Sequence, residues 1–415
     1  MRAAAGALRP HVPAALGAAV GVAVMCWLGL IGFAWTDYDD EASRAFKALA
    51  EGHVGRFLEL CPAYGGSMVL RAPFALLPNV WGGGELAIFR AVSLPCLIAA
   101  ALFALWLVAR LRGLGVGALA RGTALGLVVA GPLTLRALDI GHPEELLVAT
   151  LCVAAVLAAR GGRGWWAALF LGVAVGCKPW ALIAAGPVLA ALPGRRVRAA
   201  LVAALVAAAL VAPIALGAAT TFRATTGGLA HTGAIFQPWQ AWWWLGDPDG
   251  VVRGLDNQVK VGYRAAPAWI DTVSHPLVVI AAFALTALWW WRRAGRRAPG
   301  DELLLLALVL HVRCLLDTWN TDYYALGVVF ALTAWETLDR RRAPVLALAL
   351  SVAAYFSIYW LRYHVTPDEL SAIYLAWAVP LAALLAERLY GAPRLVRRAS
   401  TPAPSGSALA AGRPI

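Results

Sequence analysis

VPAALGAAVGVAVMCWLGLIGFAWTDYDDE, residues 12–41, decides how the rest of the chain is read. The part up to Trp35 is apolar throughout. It is long enough to cross a hydrocarbon layer, which takes about 20 residues in a helix. It then stops at Trp35-Thr36-Asp37-Tyr38-Asp39-Asp40-Glu41, where four carboxylates fall within five residues. Arg2 and Arg9 precede the run, as in a secretory signal. The run is long for a signal core and lacks a small-residue cleavage site, so it predicts a retained first helix over about 12–35. The carboxylates then sit where the chain leaves lipid.

The same pattern recurs along the chain. With 61% hydrophobic and 14% charged residues, 19 Trp and a mean hydropathy of +0.70, a soluble exterior is excluded, because a water-facing surface must be largely polar. Apolar runs near 86–109, 119–135, 145–159, 165–192, 199–217, 272–291, 302–317, 323–339, 344–361 and 369–388 predict an all-α polytopic membrane protein. The run 165–192 is broken by Lys178-Pro179 and has arginines at both ends (Arg160 and Arg163; Arg195, Arg196 and Arg198). Two basic flanks on one side require an even number of crossings. The run therefore reads as a pair of short helices with Lys178-Pro179 at the tip, and Pro179 opens the second helix, where a missing N–H costs nothing. The total is about 12 transmembrane helices.

The net charge is +12, and only Lys47, Lys178 and Lys260 are lysines. The arginines cluster in turns next to apolar runs, at Arg110, Arg112 and Arg121, at Arg292, Arg293, Arg296 and Arg297, and at Arg340–Arg342. That placement is a topology signal, not a nucleic-acid footprint. With both termini cytoplasmic, about 22 basic and 5 acidic residues fall inside and about 13 basic and 18 acidic outside, the asymmetry of the positive-inside rule. The membrane domain covers 1–392, with outer loops at about 36–85 and 218–271, and a disordered cytoplasmic tail covers 393–415. Cys26, Cys61, Cys96, Cys152, Cys177 and Cys314 have neither a disulfide framework's nor a zinc site's spacing. No duplicated or inverted half is visible, which speaks against repeat-built transporters.

Within the first outer loop, Ala42, Ala45, Phe46 and Leu49 share one side of a helical pattern and Arg44 and Lys47 the other, so 40–51 is expected to form an amphipathic helix at the interface. A turn at Tyr64-Gly65-Gly66-Ser67 leads to a second short piece around Arg71-Ala72-Pro73-Phe74. The polar groups outside the inner turns converge on the outer side: 37–41, Arg136 to Glu145, Lys178, the 218–271 loop with His231, Trp239, Trp242–Trp244 and Asp256, then Asp317, Asn320, Asp322 and Tyr323, and Arg362, Tyr363 and His364. A transporter would keep such groups at the bilayer midplane. This pattern suits a site at the outer membrane–water boundary, open to a lipid-linked substrate.

The chain resembles the C-superfamily (GT-C) membrane glycosyltransferases that use polyprenyl-phosphate sugars. The resemblance is carried by Asp37-Tyr38-Asp39-Asp40-Glu41 before a helix ending at Glu51-Gly52, by Tyr64-Gly65-Gly66-Ser67 with Arg71-Ala72-Pro73-Phe74, and by Leu171-Gly172 through Gly176-Cys177-Lys178-Pro179. Gly141-His142-Pro143-Glu144-Glu145-Leu146-Leu147 stands where the polyprenol-phosphate-mannose-dependent mannosyltransferases of actinobacteria have a Gly-Gln-x-Asn-x-Leu-like element, and it departs from that element at His142–Glu145. The resemblance covers roughly the first half of the chain.

It implies an inverting transfer of mannose or another hexose to a cell-envelope lipid or glycan on the outer face of the cell membrane. Such a reaction needs a carboxylate to take the acceptor's proton and cations to steady the departing phosphate. Asp37 and Asp39 are the candidate bases. One of the four carboxylates is expected to cap the helix, and Asp40 and Glu41 to serve its dipole. Lys178, set beside Pro179 in an apolar stretch, is the candidate phosphate ligand, since a lysine there is costly unless used. Arg136, Arg71 and Arg362 are further cationic candidates, against lipid anchoring. His142, Glu144, Glu145 and Tyr64 are candidates for holding donor or acceptor. Trp239 and Trp242–Trp244 either stack on sugars or belong to an interfacial belt. No cofactor is expected, and no divalent metal. The partners expected are the bilayer, a polyprenyl-phosphate sugar and an envelope acceptor, with no nucleic acid. The rival readings are a transporter or flippase of a lipid-linked envelope intermediate, and a non-catalytic scaffold.

Overall fold

The computed structural model describes residues 12–29, 37–227, 235–254, 257–293 and 300–391. The end of the first apolar run, His231, Asp256, Arg296, Arg297 and the 393–415 tail lie outside them. The described chain is mostly helical; the connection at 235–254 and 257–267 is largely irregular, with two isolated β-bridges at Asp247–Ala265 and Arg253–Val259.

After α1 (Val12–Gly29) comes a π-helical turn (Asp39–Ser43) that runs into α2 (Arg44–Ala50). Next are α3 (Val54–Leu60), α4 (Gly66–Arg71) and a 3-10 segment (Ala72–Val80). Ala42, Ala45, Phe46 and Leu49 are all buried, while Arg44 and Lys47 are exposed. The expected amphipathic helix is there, but its apolar face rests on protein, on the 3-10 segment, α3 and α5, not on a lipid surface.

The chain continues through α5 (Glu85–Gly113), α6 (Ala118–Val129), α7 (Pro132–Ile140), α8 (Pro143–Arg160), α9 (Gly164–Cys177), a 3-10 turn (Pro179–Ala184) and α10 (Ala185–Ala191). Then come α11 (Arg196–Gly217), α12 (Ala219–Thr226), α13 (Ala268–Arg293), α14 (Asp301–Leu316), α15 (Leu326–Ala334), α16 (Val345–Ala354) and α17 (Pro367–Tyr390). Three helices, α8, α14 and α15, are buried on nearly every side, as helices apolar all round should be. Around them, α1, α11, α13, α16 and α17 leave apolar side chains such as Val20, Leu201, Leu205, Ile280 and Val379 exposed, the surface a lipid solvent calls for.

Among the described residues, seven helical segments are long and apolar enough to cross a membrane. Those are fewer than the twelve expected, for two physical reasons. The central α8 carries Glu144, Glu145 and Arg160, and α9, α10, α14 and α15 are short, α15 being flanked by a 3-10 turn and a π-helical turn. The Lys178-Pro179 break has the expected form. Gly164 and Leu192, at the two ends of the apolar stretch, lie against each other, so α9 and the segment after Pro179 form a hairpin with Lys178 at its tip.

Ion pairs divide the connections into two ends. At one end Arg160 pairs with Asp339 (2.6 Å) and lies 3.9 Å from Glu302, and Arg342 pairs with Glu336 (2.8 Å). At the other end are Asp37, His142, Glu144 and Lys178, with Arg136–Asp322 (2.7 Å) and Arg264–Asp368 (2.9 Å). The acid-rich junctions thus share one end and the arginine-rich turns the other.

The tryptophans of the second long connection are not a ring-stacking platform. Trp239 and Trp243 are buried. Trp239 donates to the Asn320 carbonyl, Trp242 to the Leu316 carbonyl (2.8 Å) and Trp243 to Asp368 (2.7 Å). Together with Phe236 and Ile270, Trp243 makes a small second core that ties this strap to the end of α14 and the start of α17. Only Trp244 of the four is largely exposed, under the Arg264 guanidinium.

Candidate active site

Three helix junctions, closed over by the helical start at Asp37–Glu41, build the site, each for a local reason. Gly141 ends α7 in the left-handed conformation (φ +99°), open to glycine without a Cβ penalty. Its turn sets His142 immediately ahead of Pro143, the first residue of α8. Because α8 is the central helix, its first turn carries His142, Glu144 and Glu145 into the protein, and all three are buried. Lys178 is extended (φ −147°, ψ 122°) between α9 and Pro179, the conformation that a residue before proline prefers.

The third junction is the turn at Tyr64–Ser67. A Cβ on Gly66 would collide with the carbonyl oxygen of Gly176, so Gly66 allows α4 to touch the end of α9 two residues before Lys178. Gly66→Ala is therefore expected to push the Tyr64 turn away from Lys178. We expect at least a tenfold loss of activity with secondary structure retained by circular dichroism, because a shift of about 1 Å in a positioning element costs roughly two orders of magnitude.

These junctions enclose a cleft lined by Asp37, Tyr38, Glu41, Tyr64, Ser67, Arg71, His142, Glu144 and Lys178, among others. At its centre is the Glu144 carboxylate, which gathers three cations. Oε1 is 2.8 Å from His142 Nδ1 and 3.2 Å from Lys178 Nζ, and Oε2 is 3.3 Å from Arg71 Nη2. Arg71 Nε donates to the Ser67 carbonyl, while its buried Nη1 has no hydrogen-bond partner among the described residues. On its other nitrogen His142 meets Asp37 Oδ2 at 3.2 Å. The Asp37 side chain is 54% exposed, unlike its buried neighbours in the network.

Burial and Lys178 both oppose charging His142, but the Glu144 carboxylate and the hydrogen bonds that the ring donates to Asp37 and Glu144 outweigh them and lift it to about 10. His142 is thus an imidazolium at neutral pH. Burial likewise opposes the charge on Lys178, and Glu144, Glu145 and Glu41 reverse this and hold its ammonium well above the usual range. Burial, then the nearby Glu41, pushes the Tyr64 hydroxyl up to about 12, so it donates to Glu41 Oε2 (3.5 Å).

A pH dependence follows from His142. Its folded value lies above the ordinary 6.5, so the stabilisation from its charged form is complete below about 6.5 and is lost as pH rises through about 10. In thermal unfolding, the gap in Tm between the parent and His142→Phe should narrow steadily between pH 7 and about 10.5. A constant gap would remove the imidazolium from the network.

Of the residues singled out in the sequence, Asp37, Tyr64, Arg71, His142, Glu144 and Lys178 line one cleft. Glu145 sits behind it, 3.6 Å from Lys178 and accepting from Trp180 Nε1 (3.1 Å). Arg136 is a neighbour, not a lining residue. It pairs with Asp322 and Asp139 and lies over the Tyr359 ring, while Tyr323 beside Asp322 packs on His142 at 5.0 Å. Arg362 stands over Tyr363 on a separate 3-10 turn, and Asp39 is not among the lining residues. Asp317 and Asn320 are buried in structural contacts, Asp317 with Arg313 and His275, Asn320 with Trp239 and Tyr374.

One lining residue was read otherwise from the sequence. The sequence pattern gives Glu41 to the helix dipole, yet it shares the cleft with Asp37. The signal was present. The backbone is helical from Asp37 onward, and residues four apart share a helix face whereas residues two apart do not.

The family model described as Glycosyltransferase family 87 matches residues 66–318, more than half of the chain. The match includes Arg71, His142, Glu144, Glu145 and Lys178 and begins after Asp37, Glu41 and Tyr64. Neither the comparison with curated proteins nor that with solved structures gave a match.

Proposed function

The chain belongs to glycosyltransferase family 87, a GT-C-type family of membrane glycosyltransferases, and on that premise we propose that it moves a hexose, mannose being the first candidate, from a polyprenyl-phosphate donor to an envelope lipid or glycan. The observation that carries the reading is the composition of the cleft: three cations on one buried carboxylate, beside a carboxylate that remains open to solvent.

In this reading Asp37 takes the proton of the acceptor hydroxyl. The hydroxyl oxygen attacks the anomeric carbon from the face opposite the phosphate, and the bond from that carbon to the phosphate oxygen breaks with its electron pair leaving on the phosphate. Arg71, His142 and Lys178 receive the developing charge. Preorganised cations in a site shielded from water are effective there, because they need no reorganisation when the charge appears. Arg71 Nη1, a buried donor without an acceptor, is the group with most to gain from a phosphate oxygen. Glu145 and Trp180 hold Lys178 in place.

In this reading the chain crosses the membrane twelve times, with the cleft on the outer face and both termini cytoplasmic. The crossings are the seven long helices together with the central α8, the α9–α10 hairpin, α14 and the segment through α15. A cysteine placed at position 37 should react with a membrane-impermeant maleimide added outside intact cells; labelling only after permeabilisation would invert the topology.

The function itself is tested with purified protein, radiolabelled polyprenyl-phosphate sugars and envelope lipid extracts. Transfer of label with inverted anomeric configuration is expected, mannose first among the donors. If no donor is turned over while reconstituted vesicles translocate a lipid-linked sugar, the protein is a flippase and the transfer reading fails.

A further inference from the structure

A second cavity lies at the open base of the α9–α10 hairpin, at the end opposite the catalytic cleft. From Gly164 at its rim, the fourteen residues of α9 run to Lys178, about 20 Å at 1.5 Å per residue. It is open to the outside along one side. Its walls are apolar, formed by Trp165, Ala168, Leu192, Ala199 and Val202 from α9, the end of the hairpin and the start of α11. Its mouth is basic, formed by Arg195 and Arg198.

Three features suit this mouth to an anion. First, Arg195 and Arg198 are exposed and make no ion pair among the described residues, and unlike the equally exposed Arg110 and Arg112 they stand at the mouth of an apolar cavity. Second, Arg195 holds a left-handed backbone (φ 53°), which disfavours any residue but glycine and asparagine. Third, the turn leads into the N-terminus of the 22-residue α11, whose first backbone N–H groups lack helical acceptors. Unpaired arginines, a helix N-terminus and an apolar trough beneath them match a phosphate ester with a hydrocarbon chain attached.

We propose that this cavity binds an anionic phospholipid of the adjoining leaflet, its phosphate on Arg195 and Arg198 and one acyl chain along Trp165, Ala168 and Val202. The charge complementarity selects the ligand: a neutral lipid leaves both arginines as bare as they are, and a free phosphate leaves the apolar trough wet. The lipid closes the base of the hairpin whose tip presents Lys178. It therefore braces the element that carries the catalytic cation without touching the reaction. The site stands whether or not the transfer reading holds, because none of its residues belongs to the catalytic cleft.

The test uses the full-length protein in neutral detergent, with palmitoyl-oleoyl phosphatidylglycerol as probe. Native mass spectrometry should show one phosphatidylglycerol retained at activation energies that strip phosphatidylcholine, and the lipid should raise Tm. Arg195→Gly/Arg198→Ala should weaken retention by about tenfold or more; glycine suits the left-handed position and keeps the turn intact. Arg110→Ala/Arg112→Ala, in another basic turn, should leave it unchanged. Glycerol phosphate, which has the headgroup charge but no chain, should not compete. Equal retention of phosphatidylcholine, equal loss with the Arg110/Arg112 pair, or displacement by glycerol phosphate would each overturn the proposal.

Discussion

Asp37→Asn should lower the rate of sugar transfer by about 10²–10⁴-fold, the range that general-base catalysis contributes, and should leave Tm close to that of the parent. The two halves of this expectation come from different features. The side chain is half exposed, so removing its charge strands no buried partner. Asparagine keeps an oxygen 3.2 Å from His142 Nε2 and can still accept its hydrogen bond. His142 also remains tied to Glu144 at 2.8 Å, so the imidazolium stays in place. What disappears is the only property the reaction needs from Asp37, a carboxylate able to take a proton. Donor affinity should be little changed, because the phosphate is held by other residues. Asp39→Asn is the matched comparison. Asp39 begins the π-helical turn and does not line the cleft, so it should retain most activity. Equal losses in the two variants would move the base to Asp39 or to a role shared between them, and a fall in Tm with Asp37→Asn would make the residue structural.

Much of this site is written locally in the chain, and the reason is physical. In a sequence so apolar, a charge beside an apolar run marks a helix end, and helix ends are where a membrane protein meets water. Asp37, His142 and Lys178 each stand at such an end, so three of the cleft's main groups were visible singly. The arginine asymmetry then assigned them to one side, and the ion pairs group them in the same way. What the sequence could not express is pairing across distance. Arg71 and Glu144 are far apart in the chain, and nothing in either stretch predicts that Glu144 will be a hub for Arg71, His142 and Lys178. Trp239 and Trp243 were misjudged for the same reason. A tryptophan near a membrane surface is usually an anchor, and only the long-range hydrogen bonds to Asn320 and Asp368 put these two in a core. Arg362 had the right charge at the right end, but its 3-10 turn carries it to Tyr363 instead of to the cleft.

Glu144→Gln should be the most destabilising conservative change in the protein, by about 3–5 kcal/mol, the typical cost of removing one partner from a buried ion pair. Glutamine matches the volume of the side chain but leaves Arg71 and Lys178, both largely buried, without their common counter-charge. Glu145→Gln should cost less, since its amide oxygen can still accept from Trp180 and Lys178 retains Glu144. A purely structural ion cluster would make the same forecast for Tm, so a second measurement is needed. If the three cations are the phosphate site, Glu144 competes with the ligand for them. Glu144→Gln should then be rescued by polyprenyl phosphate, with a larger rise in Tm than the parent shows at the same ligand concentration, because binding to the folded state stabilises in proportion to affinity. Combining it with Arg71→Met should recover part of the lost stability by removing one stranded charge, and the coupling should exceed the few tenths of a kcal/mol found for independent sites. The same double variant should lose the rescue, since it lacks the buried Nη1 donor as well. A Glu144→Gln protein that polyprenyl phosphate stabilises no more than the parent would confine these cations to holding the helix junctions together, and the leaving-group role would have to be sought outside this cleft.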